Sequence, residues 1–161
     1  MKVNETKTAV APVWGRKFLG YCFWAAAQAE VRIAVAREAV ARYKQRLRHL
    51  TRRQTGRSMH EIAHALRDYV PGWKAYFRLA QTPRAWHELD EWMRHRLRAV
   101  QLKHWGRGPT TFRALRALGA SVALAAAVAG GSRRWWYTSA LGLNRVLTIA
   151  WFDRLGVPRL C

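Results

Sequence analysis

Apolar residues recur along this chain with two different periods, and the change between them falls near residue 25. Residues 3–10 and 17–24 are short segments with aromatic and β-branched content, separated by a turn at 12–15. They read as a hairpin or two short strands. From Ala25 onward the period is helical. Val40, Tyr43, Leu47 and Leu50 recur at three- and four-residue spacing and predict a helix over 36–53. Residues 54–57 form a polar linker containing Gly56, and Ser58 followed by Glu61 is a capping-box signature that starts a second helix. Its stripe runs Ile62, Leu66, Tyr69, Trp73, Tyr76/Phe77 and Ala80 and crosses Pro71-Gly72. A kink or short break is expected there, because proline removes a backbone donor and crowds the preceding turn.

Thr82-Pro83 supplies an N-cap and a proline at the first helical position, opening a third helix. The inward stripe of that helix is Trp86, Leu89, Met93, Leu97, Val100 and His104, the histidine read as a hydrogen-bonded core residue. Residues 106–109 end it. Shorter helices are predicted at about 111–118 and 121–129, with Gly119 as a C-terminal stop and Ser121 as the next cap. Residues 130–137 read as a loop, and a last helix at about 139–155 closes at Gly156 and Pro158. No repeat is visible. The predicted fold class is mainly α, a helical bundle preceded by a short β-hairpin.

Composition narrows what such a bundle is for. With 161 residues, half of them hydrophobic, the chain can bury a real core and is not a disordered tail. Yet 29 Lys and Arg face only nine acids, a formal net charge of +20 that calls for a polyanionic partner. Nucleic acid is the first candidate and an anionic membrane surface the second. The longest uncharged stretch, between Arg116 and Arg133, is mostly Ala and Gly. It is too short and too weakly apolar to span a bilayer, which takes ~20 predominantly apolar residues. Lys2, Glu5 and Lys7 interrupt any signal-peptide core. Cys22 and Cys161 give neither a disulfide framework nor a cysteine zinc site, so a reducing, cytoplasmic setting is expected, without a cofactor or bound metal.

Catalytic patterns are weak. His60-Glu61-Ile62-Ala63-His64 is a literal H-E-x-x-H, the arrangement in which two histidines one turn apart hold zinc and the glutamate activates its water. Both histidines, however, fall opposite the Ile62/Leu66/Tyr69 stripe and face solvent. Arg67 shares their side of the helix, and nothing positions a third ligand among Glu88, Asp90 and Glu91. Phosphoryl chemistry would need clustered carboxylates holding paired metal ions. Only residues 88–91 cluster, and there Asp90→Arg94 and Glu91→His95 read as i,i+4 pairs near a helix N-terminus.

The cations say more. Arg94, Arg98 and Gln101 line one flank of the third helix, with Trp105 continuing the line and Arg107 after it. Arg113 and Arg116 repeat the theme, as does Arg133-Arg134-Trp135-Trp136-Tyr137. Arginine pairs with phosphate and aromatic faces stack on unpaired bases, a combination suited to structured RNA with loops and bulges. The candidate RNA contacts are Lys44, Arg48, Arg52, Arg53, Arg57, Arg94, Arg98, Lys103, Trp105, Arg107, Arg113, Arg116, Arg133, Arg134 and Trp135. Trp73, Tyr76, Phe77, Trp86 and Trp151 lie on apolar stripes and read as core.

In order along the chain, these segments resemble the C-terminal part of group II intron-encoded reverse transcriptase/maturases. Residues 2–8 and 17–23 look like the last blocks of the polymerase palm, and Tyr43-Lys44-Gln45-Arg46-Leu47-Arg48 with residues 50–53 looks like the start of the thumb and maturase region. Gly72-Trp73 with Tyr76-Phe77-Arg78 is similar to that region's most recognisable structural motif. Residues 89–98, Lys103-His104-Trp105, 115–119 and the ending Ala150-Trp151-Phe152 with Leu155-Gly156 complete the likeness. The resemblance implies a palm remnant over 1–30 and a helical thumb and maturase-specific RNA-binding domain over 31–161. The family's Tyr-x-Asp-Asp polymerase block does not occur in this sequence, nor does a Cys/His nuclease module, and Met1 falls where the palm is ending. What the resemblance implies is therefore binding of group II intron RNA, with help to its folding and splicing and without polymerisation, in no contact with membrane. A separate palm fragment or a second copy is a further partner it leaves open. The alternatives are an inert remnant of a decayed mobile element and, further off, a zinc metallopeptidase at His60-Glu61-x-x-His64.

Overall fold

A computed structural model describes residues 12, 15–25, 30–131, 134–140 and 142–161. Among them three strands precede seven α-helices: β1 Lys17–Phe18, β2 Tyr21–Ala25, β3 Val31–Val35, α1 Arg37–Leu50, α2 Met59–Tyr76, α3 Pro83–Trp105, α4 Gly108–Ala117, α5 Val122–Gly130, α6 Trp135–Ala140 and α7 Ile149–Arg154, with a 3₁₀ turn at Leu143–Arg145. The fold is mainly α with a small sheet at its start, as the periodicity predicts.

The sheet differs from the expectation in detail. The expected strand over 3–10 lies outside the described residues. The one over 17–24 is itself a hairpin: Phe18 pairs with Tyr21 across a two-residue turn at Leu19 and Gly20, both with positive φ. That is the geometry of a type I′ turn, whose twist matches the strands it joins. The helical reading from Ala25 onward is corrected by β3, which pairs antiparallel with β2 in the register Phe23↔Ile33. Val31, Ile33 and Val35 alternate with period two, and their branched Cβ atoms suit a pleated strand.

The sheet is docked on the end of α2. Tyr76 Oη donates to the Leu19 carbonyl at 2.9 Å, Tyr21 Oη donates back to the Tyr76 carbonyl, and the rings of Tyr21 and Phe77 meet edge-on at 5.2 Å. A Cβ on Gly20 would press the Phe77 ring at 3.2 Å, so both the turn and this contact require glycine. Gln81 then closes the β3 edge, its backbone N–H donating to the Ile33 carbonyl at 2.8 Å and its side-chain carbonyl accepting from Ile33 N–H at 3.3 Å. Tyr76, expected in the core, is 54% exposed and acts through its hydroxyl instead.

The helices begin and end where local chemistry dictates. Ser58 and Glu61 form the capping box in full. Pro83 holds the first turn of α3, but the Thr82 hydroxyl accepts no capping hydrogen bond and is buried without a partner. Gly106 and Gly119 stop α3 and α4 with φ of +73° and +85°, and Ser121 Oγ accepts from Leu124 N–H at 3.2 Å to start α5. Of the expected kink or short break at Pro71, the break is absent: α2 runs through Pro71 and Gly72, which lie on its exposed side, and ends at Tyr76 rather than Ala80. The predicted loop 130–137 is in part α6. The single helix predicted at 139–155 is instead α6, the 3₁₀ turn and α7, divided at Gly142. Gly142 has φ +79°, and a Cβ there would come within 2.5 Å of Leu124, so the chain bends to pass close over α5.

Helix α3 is the axle of the core. Leu89, Met93, Leu97 and Val100 join Tyr43 and Leu47 of α1, Ile62, Leu66 and Val70 of α2, Leu115 of α4, and Leu143, Leu147 and Phe152. Trp73, Trp86 and Trp151 pack half-buried against this cluster, and Trp73 touches the rings of Tyr43 at 4.3 Å and Trp86 at 5.3 Å. His104, expected on the inward stripe, is exposed because the buried side at the end of α3 has moved to Leu102 and Trp105.

Candidate nucleic-acid interface

Charged side chains on a helix surrounded by other helices divide into those the fold encloses and those it leaves at an edge. Arg94 and Arg98, expected on an open flank of α3, are enclosed, 9% and 8% exposed. Arg94 Nη1 lies 3.6 Å from the fully buried Asp90 carboxylate, which also accepts from Leu160 N–H at 3.0 Å and Cys161 N–H at 3.3 Å. Arg98 Nε donates to the Leu147 carbonyl at 3.2 Å, and its guanidinium lies over Phe152. Burial and the neighbouring Arg94 cation hold the Arg98 pKa below its ordinary value. The chain after α6 folds back over this flank, so both arginines fasten it down. The expected Asp90–Arg94 pair thus forms inside the core rather than on a surface. His95 does not pair with Glu91; its Nε2 sits 3.0 Å from the Trp136 carbonyl. Trp105, expected as a stacking face, packs half-buried against the core.

A different line of α3 remains open. Trp92, Arg96 and Lys103 follow one another at helical spacing and meet α1 and the α1–α2 connection. Three cations surround the half-buried Trp92: Lys44 Nζ and Arg48 Cζ each lie 5.5 Å from its ring, and Arg96 Cζ 5.3 Å. These are distances at which an indole face attracts a cation. Arg96 Nε donates to Thr51 Oγ1 at 2.9 Å, and Thr51 Oγ1 in turn donates to the Leu47 carbonyl at 2.6 Å, which locks the end of α1 to α3. Beyond it Arg52, Arg53, Arg96 and Lys103, with Gln54 and Thr55, line a polar pocket of about 500 Å³. Arg53 then lies over the Trp135 ring of α6, with Cζ 3.8 Å from the centroid and a buried Nε lacking a hydrogen-bond partner.

The electrostatics are one-sided. Burial lowers the pKa of Arg53, and burial together with the Arg48 charge lowers that of Arg96. Arginine starts so high that both stay cations, and an arriving anion relieves their mutual repulsion. Among the described residues none of Lys44, Arg48, Arg52, Arg53, Arg96 and Lys103 forms an ion pair with a carboxylate.

The remaining predicted contacts lie apart from this cleft or carry no link to it. Arg57 is exposed beside His60, Glu61, His64, Arg67 and Asp68, a shallow surface of mixed charge. Arg107 and Arg113 are exposed, and Arg116 donates to the Ala120 carbonyl beyond the end of α4. Arg134 is exposed next to α6, and Arg133 lies outside the described residues. Trp92 and Arg96 were not among the predicted contacts; their i,i+4 spacing on α3, matching Lys44 and Arg48 on α1, was the available signal. At the H-E-x-x-H segment both histidines are exposed, and Glu61 accepts from Ser58 N–H at 2.6 Å and Ser58 Oγ at 2.8 Å. Those bonds hold its carboxyl below the usual glutamate range. Among the described residues no three His, Cys, Asp or Glu side chains are grouped to hold a metal ion, and no helix is long and apolar enough to cross a membrane.

Residues 40–119, from α1 to the glycine after α4, match the family of the group II intron, maturase-specific domain. The chain carries a group II intron maturase-specific domain. No curated protein matches the chain. The matched span holds the whole cleft except Trp135, which α6 brings to it from outside. Within it the contacts of Trp73 with Tyr43 and Trp86 place the Gly72-Trp73/Tyr76-Phe77 motif at the junction of α1, α2, α3 and the sheet.

Proposed function

We propose that this maturase-specific domain binds structured RNA of a group II intron in the cleft between α1, the α1–α2 connection and α3, and helps that RNA reach its splicing-competent fold. The observation that carries this reading is the convergence of Lys44, Arg48, Arg52, Arg53, Arg96 and Lys103 with no carboxylate partner among the described residues. Such clusters repel themselves unless phosphate neutralises them, and releasing the counterions of the RNA supplies the driving force. Trp92 lies against Lys44, Arg48 and Arg96, and Trp135 against Arg53. The chemistry of splicing belongs to the ribozyme, and the chain itself carries no polymerisation.

A filter-binding titration of intron RNA against salt tests this. Log K is expected to fall linearly with log salt, with a slope of about −0.7 to −0.9 for each phosphate contacted. Binding indifferent to salt, or equal binding of intron and random-sequence RNA, would overturn the proposal. Primer extension on an RNA template is expected to stay at background with the purified chain. The metallopeptidase alternative has little left to stand on, since Glu61 is committed to its helix cap.

A further inference from the structure

A second feature lies beyond the matched span and has different chemistry. Between α5 and α6 is a pocket of about 630 Å³ with an apolar floor of Leu124, Ala127 and Val128. Tyr137, 62% exposed although it is aromatic, also lines it, as do the exposed Arg134 and Arg145. The close approach that shapes the pocket is built in. Thr138 Oγ1 donates to the Gly131 carbonyl at 2.6 Å, and Gly142, at φ +79°, passes so close to the end of the Leu124 side chain that a Cβ there would lie 2.5 Å from it.

We propose that this pocket receives one unpaired RNA base, while Arg134 and Arg145 hold the phosphates on either side of it. An apolar floor with an exposed aromatic wall suits a flat ring whose faces are apolar, and base–aromatic stacking is tolerant of sequence. The two exposed guanidinium groups, with no carboxylate among the described lining residues, make the pocket complementary to a phosphodiester and a poor seat for a metal ion or a basic peptide. The pocket and the cleft are linked through one helix. Helix α6 carries both Trp135, which meets Arg53, and Tyr137, which lines the pocket, so an RNA strand held in the cleft has the pocket two residues further along the same helix. The inference rests on the RNA-binding reading and adds to it a site that discriminates unpaired from paired nucleotides.

The test uses the full chain and three RNA hairpins that differ at one position: a bulged adenosine, an abasic bulge, and no bulge. The bulged adenosine is expected to bind about tenfold tighter than the abasic bulge, within the range of stacking one base on an aromatic side chain. Ala127→Trp, which fills the pocket from an exposed helix position, is expected to abolish that difference while leaving the fully paired hairpin unaffected. Tyr137→Ala, at an exposed side chain, is expected to do the same and guards against misfolding of the first variant. Equal affinity for all three hairpins would overturn the pocket and leave the cleft reading standing. A base preference that survives both variants would also overturn it. Failure of every hairpin to bind would overturn both.

Discussion

Arg53 lies with its guanidinium carbon 3.8 Å from the centre of the Trp135 ring, joining the connection after α1 to a helix outside the matched domain. The contact closes the far end of the cationic cleft and aligns a cation whose Nε is buried without a partner. Arg53→Ala is expected to cost about 1 kcal/mol of stability, the scale of a partly desolvated cation–π pair. It is also expected to reduce the salt slope of RNA binding by about one phosphate contact. Chemical denaturation and a salt-dependent titration of the same variant check the two halves. A lost slope with no change in stability would mean that the stacking contributes nothing.

Arg52, from the α1–α2 connection, and Lys103, from α3, both line the pocket, and both are exposed. The double change Arg52→Ala with Lys103→Ala is expected to leave the thermal melt nearly unchanged, because exposed charges contribute little to folding. RNA affinity is expected to fall, and the salt slope to become shallower by about two contacts.

Arg98→Ala is expected to behave in the opposite way. It leaves the Leu147 carbonyl without its donor and a gap beside Phe152, at a cost of about 2 kcal/mol or more. At temperatures where the variant is folded, its RNA salt slope is expected to equal that of the unmodified chain. A changed slope in folded protein would return Arg98 to the interface.

Trp73 touches Tyr43, Phe77 and Trp86. Trp73→Ala is expected to destabilise the domain by about 3 kcal/mol, the low end for deleting a large core aromatic because the ring is only half-buried. Circular dichroism is expected to show one cooperative melt for the unmodified chain and an earlier one for the variant. A broad, non-cooperative melt of the unmodified chain would favour the decayed remnant.

The Glu61 carboxyl is held below its ordinary value of 4.5 by hydrogen bonds from Ser58. A carboxyl depressed in the folded state stabilises fully at pH values above its unfolded pKa, and that contribution is lost as pH falls through the folded value. The gap in melting temperature between the unmodified chain and Glu61→Ala is therefore expected to be largest near neutrality and to close in acid below that range. A gap independent of pH would show that the side chain acts without its charge.

Local physics accounts for what the amino-acid order determined alone. The stripe Val40, Tyr43, Leu47 and Leu50, the Ser58–Glu61 box, the proline opening α3 and the glycines ending α3 and α4 each depend on residues within a few positions of one another, and each stands where periodicity and capping put it. The maturase likeness was legible for the same reason, since it is carried by short blocks inside those helices. The β3 strand escaped because a five-residue alternation flanked by helical patterns is a weak signal against the pull of neighbouring periods. The final helix escaped because its division rests on the left-handed φ of Gly142, where the chain passes close to Leu124 of α5, a contact distant in sequence. The interface depended most on tertiary structure. Periodicity fixes the angle of Arg94, Arg96, Arg98 and Lys103 around α3 but says nothing of what covers each side. The C-terminal segment encloses Arg94 and Arg98, whereas α1, Thr51 and Trp135 gather Arg96, Lys103 and Arg53 into one cleft. A helix at the centre of a bundle has no intrinsic outer face, and only its neighbours decide which of its cations meets solvent.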